Sequence, residues 1–118
     1  MNFISTYSHN GQIGVMVDVQ APNGSIRSKV EFIEEFIGLC EDIAIHVAAS
    51  DPTDIAELLN QPFVKNPDQS ILELLNEKSE SLHDSISISR FIRWDTGTSN
   101  HENDPRHDPA LAMQANRA

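Results

Sequence analysis

Cysteine, basic side chains and long apolar runs are all scarce in this 118-residue chain, and each shortage excludes a class of protein. A single cysteine, Cys40, rules out an internal disulfide and fits a reducing compartment, so we expect a cytoplasmic protein. Eighteen acidic residues against eight basic ones give a formal net charge of -10, which opposes contact with nucleic-acid phosphates. No apolar run approaches the roughly 18–20 residues that span a bilayer, so no membrane association is expected.

Residues capable of chemistry are present, but their spacing does not suit catalysis or metal binding. Cys40 falls on the apolar stripe of a predicted helix, where a thiol behaves as a small hydrophobic side chain. Asp42 and His46 stand four residues apart, a spacing that more often gives a surface hydrogen bond than two metal ligands. The sequence has neither a glycine-rich phosphate loop nor a glycine-flanked serine elbow. It therefore predicts no enzyme, no metal and no cofactor.

Two alternating segments around Asn10-Gly11 predict a β-hairpin over residues 2–20. The arms are Asn2 to Ser8 and Ile13 to Gln20, and Asn-Gly readily adopts the positive φ angles of a tight hairpin turn. In the second arm every odd-numbered residue from Ile13 to Val19 is apolar, which indicates a half-buried strand.

Helical periodicity begins after a turn at residues 21–24. Ser28 and Glu31 match a capping box at the start of a helix of about 22 residues. Its apolar stripe comprises Val30, Ile33, Phe36, Ile37, Cys40, Ile43, Ala44 and Val47. Asp51-Pro52 ends this helix and is expected to cap a second one that runs from Thr53 to Leu59. Asn66-Pro67 similarly predicts the start of a helix over 67–77, after a loop over residues 60–66.

The segment Ser85 to Asp95 alternates with a period of two and predicts a final strand. Simple alternation puts Ile86, Ile88, Ile92 and Trp94 on one face, interrupted by Arg90, and Phe91 on the other. We therefore expect an α+β domain over 1–97: a small three-stranded antiparallel sheet, made of the hairpin and the C-terminal strand, with helices packed on one face. Residues 98–118 are polar and aperiodic and predict a flexible tail, in which Asp108-Pro109 could begin a short terminal helix.

Exposed residues held by turns are the remaining candidates for function, through contact with another protein. His9 stands at the hairpin tip beside the Asn-Gly turn. Phe63 and Val64 lie in the polar loop, and in an extended segment their side chains point in opposite directions. We expect Phe63 to fill the core, which leaves Val64 as the better candidate for a partner contact. Two alternatives stay open: His9 is only a solvated turn residue, and Phe63 only fills the core.

Four blocks, in this order, resemble the C-terminal part of translation elongation factor Ts: Tyr7 to Val17, Glu41 to Ser50, Leu59 to Lys65, and Phe91 to Trp94. The resemblance implies binding to elongation factor Tu, with His9, Phe63, Val64 and Lys65 as partner-binding residues. Gln12 stands where many members of the family have arginine.

Other family parts have no counterpart in these residues: the N-terminal helical domain, the threonine-aspartate-phenylalanine-valine segment that drives exchange, and the helical hairpin before Gln61. The resemblance therefore implies binding to elongation factor Tu with guanine nucleotide exchange weak or lost. The alternative is a stand-alone interaction or dimerisation module, such as a homodimer, that no longer acts in translation.

Overall fold

The computed structural model describes residues 1–97, and the tail expected over 98–118 lies outside them. The elements are β1 (Asn2–His9), β2 (Ile13–Gln20), a 3-10 turn (Ser25–Ser28), α1 (Val30–Ser50), α2 (Ile55–Asn60), β3 (Pro62–Phe63), β4 (Asn66–Ser70), α3 (Ile71–Leu82) and β5 (Ser87–Asp95). β1, β2 and β5 pair antiparallel in that order, and β3 and β4 form a separate two-stranded sheet. The predicted α+β class is confirmed; the second sheet was not predicted.

The β1–β2 hairpin has the predicted turn and the predicted buried face. Asn10 and Gly11 have φ angles of 53° and 68°, and the Gln12 N–H donates to the His9 carbonyl at 2.9 Å. Val15, Val17 and Val19 are buried against the helices, whereas Met16 points to the other face and is exposed. The sheet therefore has an inner face in the core and an open outer face.

α1 supplies the centre of the core, but it begins later than the capping pattern predicts. Ser28 ends the 3-10 turn and its hydroxyl donates to the Ser25 carbonyl, so it does not cap the helix. Lys29 is the N-cap residue, without a side-chain bond, and Val30 is exposed rather than part of the buried stripe. Because the Ser28 hydroxyl bonds the carbonyl of its own turn, it is not free to cap α1. This competition is the physical reason that α1 begins later than predicted.

The two shorter helices also begin after the predicted caps. Asp51 adopts a left-handed conformation and ends α1, and it is Asp54 that accepts the Glu57 N–H and caps α2. Asn66 begins β4 instead of a helix. α3 starts at a complete capping box, in which Ser70 and Glu73 satisfy each other's backbone N–H groups. Two reciprocal bonds give this start a stronger signal than Asn-Pro alone.

A β-bulge in β5 overturns the predicted faces of the last strand. The register pairs Val19 with Ile88 and Asp18 with Arg90, so Ser89 is an extra residue. One extra residue moves every later side chain to the opposite face. Ile88, before the bulge, is buried, whereas Ile92 and Trp94, after it, lie on the outer face and are exposed.

The same bulge turns Arg93 inward, where it links β5 to the end of α1. Its Nε–H donates to the Ala48 carbonyl at 3.1 Å, and its Nη2 lies 3.3 Å from the Asp95 carboxylate. The side chain is only 9% exposed, and its Nη1 lies 3.6 Å from Asp51. Arg93 therefore fixes the C-terminal end of α1 beside the end of the sheet that carries the β1–β2 tip.

Candidate functional site

The β3–β4 hairpin presents Val64 and Lys65 at its tip. Its pairing is short and irregular, with Pro62 opposite Ser70 and Phe63 opposite Asn66. Phe63 is buried in the core, and Val64, directly after it, is 41% exposed. The expected alternation of these two side chains is thus present: one anchors the hairpin and the other faces solvent.

His46 holds this hairpin against α1 from inside the protein. The ring is fully buried, its Nδ1 lies 3.2 Å from the Val64 backbone nitrogen, and its Nε2 lies 2.9 Å from Oε1 of Gln61. The Phe63 ring lies against it, with centroids 6.1 Å apart. Burial lowers the pKa of His46, and the hydrogen bond to Gln61 partly opposes this change. Sequence reasoning missed this residue as a support because its partners lie 15 and 18 positions away.

Lys65 is tied to the same helix through Asp42, one turn before His46. The Lys65 Nζ lies 2.6 Å from the Asp42 carboxylate, and both side chains are partly open to solvent. An exposed ion pair of this kind contributes little to stability. Lys65 therefore keeps an accessible charge at a defined position beside Val64.

His9 lies on a separate tip, that of the β1–β2 hairpin. Its ring stacks on Tyr7, with centroids 6.3 Å apart, and Nδ1 lies 3.3 Å from the tyrosine hydroxyl. Asn10 approaches the other ring nitrogen at 3.4 Å. The four predicted partner-binding residues thus occupy two hairpins: Phe63, Val64 and Lys65 on one and His9 on the other. Among the hydrogen bonds within residues 1–97, none joins the two tips.

The groups that could have carried chemistry do not form a reactive centre. Over residues 1–97, no three His, Cys, Asp or Glu side chains are grouped so that they could hold a metal ion. Cys40 is fully buried, and burial, with the negative charge of Glu41 as a smaller cause, raises the pKa of its thiol to about 12. Within the same part of the chain, no helix is both long enough and apolar enough to cross a membrane.

The outer face of the main sheet is an exposed apolar surface that simple alternation did not predict. Its large apolar side chains, all more than 40% exposed, are Ile4, Met16, Ile92 and Trp94. Two shallow hollows of about 350 and 360 Å³ lie on this face. The ion pair between Arg90 and Asp18, at 3.1 Å, lines the hollow of about 360 Å³. Contiguous exposed apolar surface on a small domain is typical of contact with another protein.

The amino-acid sequence of this chain is similar to those of several known proteins. No family model matches the chain. Its relatives include the protein named elongation factor Ts of Alkaliphilus metalliredigens, which is 27% identical over 139 aligned residues. Those of Solibacter usitatus and Carboxydothermus hydrogenoformans are 28% and 25% identical, over 91% and 97% of this chain. The resemblance to elongation factor Ts is confirmed.

The alignments also show how this elongation factor Ts-like chain differs from its relatives. With the Alkaliphilus protein, 80% of this chain aligns and spans 63% of the relative's length. The 139 aligned positions outnumber the 118 residues of the whole chain, so the relative carries residues inside the matched region that this chain lacks. In this chain, α2 is the only helix between Ser50 and Gln61, a part that the structure describes throughout.

Proposed function

We propose that this chain binds elongation factor Tu through the tips of its two hairpins, with weak or no guanine nucleotide exchange by these residues alone. The observation that carries the proposal is the presentation of Val64. An apolar side chain 41% open to solvent is held by its own backbone N–H bond to a buried ring. Pre-organised exposure of this kind lowers the ordering cost of binding.

Lys65 and His9 add polar contacts around this apolar centre. In a chain with net charge -10, Lys65 offers a positive charge at a fixed place beside Val64. The tip of the β1–β2 hairpin holds His9 through an Asn-Gly turn and a stacked tyrosine. Arg93 ties the end of α1 to this end of the sheet, and His46 of α1 bonds the other hairpin, so one helix supports both tips.

Weak exchange follows from the chemistry that these residues lack. The resemblance assigns nucleotide release to a segment that disturbs the magnesium and phosphate site of the partner. The family's exchange segment has no counterpart in this sequence, and Lys65 is the one lysine or arginine at the two hairpin tips. Binding without efficient nucleotide release is the expected result.

Binding and exchange can be measured separately with purified elongation factor Tu. We expect calorimetry to detect a complex, and GDP release to rise far less than with a full-length elongation factor Ts. The double variant His9→Ala, Val64→Asp should lose the complex. Leu72→Asp is the matched control, because Leu72 on α3 is 43% exposed, close to the 41% of Val64. Equal loss with the control variant, or GDP release at the rate given by a full-length factor, would contradict the proposal.

The outer sheet face favours a second candidate function, that of an interaction module that pairs with a second copy of itself. Its four exposed apolar side chains would be covered in such a dimer. Sedimentation of the wild-type chain and of Trp94→Glu across a range of concentrations tests this. A dimer that dissociates in the variant supports it, and a wild-type monomer at all concentrations excludes it.

A further inference from the structure

Both ring nitrogens of His46 have hydrogen-bond partners, one in Gln61 just before β3 and one in Val64 of the β3–β4 hairpin, and these partners define the ring's protonation state. The Gln61 Nε2 donates to the Ser50 carbonyl and to a Glu57 carboxylate oxygen, both at 3.4 Å, which leaves Oε1 as an acceptor. His46 must then carry its proton on Nε2 and donate it to Gln61. Its bare Nδ1 accepts the N–H of Val64.

A protonated ring cannot make the bond to Val64. An imidazolium has N–H groups at both nitrogens, so Nδ1–H would face the Val64 N–H, donor against donor. Phe63 still anchors the hairpin in the core, but beyond it the tip has only the two-residue β3 and the exposed ion pair between Lys65 and Asp42. Loss of this one bond is therefore expected to free Val64.

The charged groups around the ring come from four elements. Asp42 lies on α1 and is neutralised by Lys65 of the hairpin. Glu57 of α2 reaches the ring only through Gln61. Arg93 of β5 is bonded to Ala48 of α1 and paired with Asp95. None of these groups forms a hydrogen bond to the ring itself, so burial and the Gln61 bond govern its titration.

We propose that His46 is a positioning residue for partner binding: its neutral ring holds Val64 in the orientation that the partner meets, and protonation releases the hairpin tip. The effect on partner binding rests on the proposed function, whereas the hydrogen bonds of His46 do not depend on it. Although fully buried, His46 would then make binding depend on pH.

The test uses the full chain and three variants, from about pH 8 down through the pH at which the His46 ring titrates. His46→Asn keeps an acceptor near the position of Nδ1 but cannot titrate. His83→Asn is the matched control, because His83 is exposed and its left-handed backbone, with φ 54°, suits asparagine. Gln61→Met removes the bond that raises the pKa of His46, and should therefore move the transition to lower pH.

Two readouts separate this inference from the proposed function. In the free protein, the amide signal of Val64 should shift and lose its exchange protection as the His46 ring titrates, in the wild type and His83→Asn but not in His46→Asn. The affinity for elongation factor Tu should fall as the His46 ring becomes protonated, again except in His46→Asn, because the competent fraction decreases.

A Val64 amide that ignores the titration of His46, or a His46→Asn variant with the wild-type pH profile, overturns the inference. If His46→Asn does not fold, the direction of the Gln61→Met shift decides instead, and an unmoved transition refutes it. If no form binds elongation factor Tu at any pH, the proposed function fails and the binding role of His46 fails with it. The amide profile would still show whether His46 holds the hairpin.

Discussion

Replacing Arg93 with methionine is expected to lower the free energy of unfolding by about 2–4 kcal/mol. Methionine keeps much of the length of the stem but removes the guanidinium that bonds the Ala48 carbonyl and the Asp95 carboxylate. A hydrogen bond from a charged donor contributes about 1.5–3 kcal/mol. The loss also leaves Asp95, 17% exposed, without its cation, whereas Asp51, 60% exposed, adds little.

Arg90→Met is the matched control, three residues earlier on the same strand. Arg90 is 80% exposed on the outer face and pairs with Asp18, so its loss should cost no more than about 1 kcal/mol. Urea unfolding followed by circular dichroism gives both values. An unchanged dependence on denaturant would confirm that stability, and not the compactness of the unfolded chain, has changed.

The comparison of these two variants tests the register of β5 directly. Without the bulge at Ser89, Arg90 would face the core and Arg93 would face solvent, so the costs would exchange. Equal costs, or a larger cost for Arg90→Met, would therefore refute both the bulge and the role of Arg93 in fixing the end of α1.

Further predictions concern the helices and the buried titrating groups. Phe36→Ala should cost about 3–5 kcal/mol, whereas Val30→Ala should stay within about 0.5 kcal/mol, both measured by urea unfolding. Ser70→Ala should cost about 1 kcal/mol by removing the capping box of α3, measured in the same way. Cys40 should resist a thiol reagent at mildly alkaline pH in the folded protein and react once urea unfolds it. Because burial lowers the pKa of His46 in the folded state, the unfolded chain takes up that proton first as pH falls. The free energy of unfolding should therefore drop below about pH 6.5 and level off below the folded-state pKa, and His46→Asn should remove this part of the decrease.

The elements that sequence patterns predicted correctly are those whose signals are local. The β1–β2 turn follows from the positive φ preference of Asn10-Gly11, and the buried face of β2 follows from strict alternation. The body of α1 follows from a helical period that spans several turns. In each case the residues that determine the structure are close together in the chain.

The predicted element boundaries were wrong where two local signals competed. Ser28 could cap a helix or bond its own turn, and Asn66-Pro67 stood four residues before a complete capping box. Nothing within either motif says which alternative packs better. The bulge at Ser89 is harder still to predict, because it depends on how β5 pairs with Asp18 and Val19, about 70 residues earlier in the chain.

The candidate site shows the same division between local and distant causes. Asp42 and His46 could be read from the sequence as a pair on one helix face, with a spacing that favours a surface hydrogen bond over a metal site. In the structure both serve the β3–β4 hairpin: one binds Lys65, and the other accepts the backbone N–H of Val64. Only the chain reversal that brings Gln61 to Lys65 back onto α1 reveals that use. The i, i+4 polar pair of α1 thus holds Val64, the proposed contact residue, in place at the tip of a short hairpin while its side chain stays exposed.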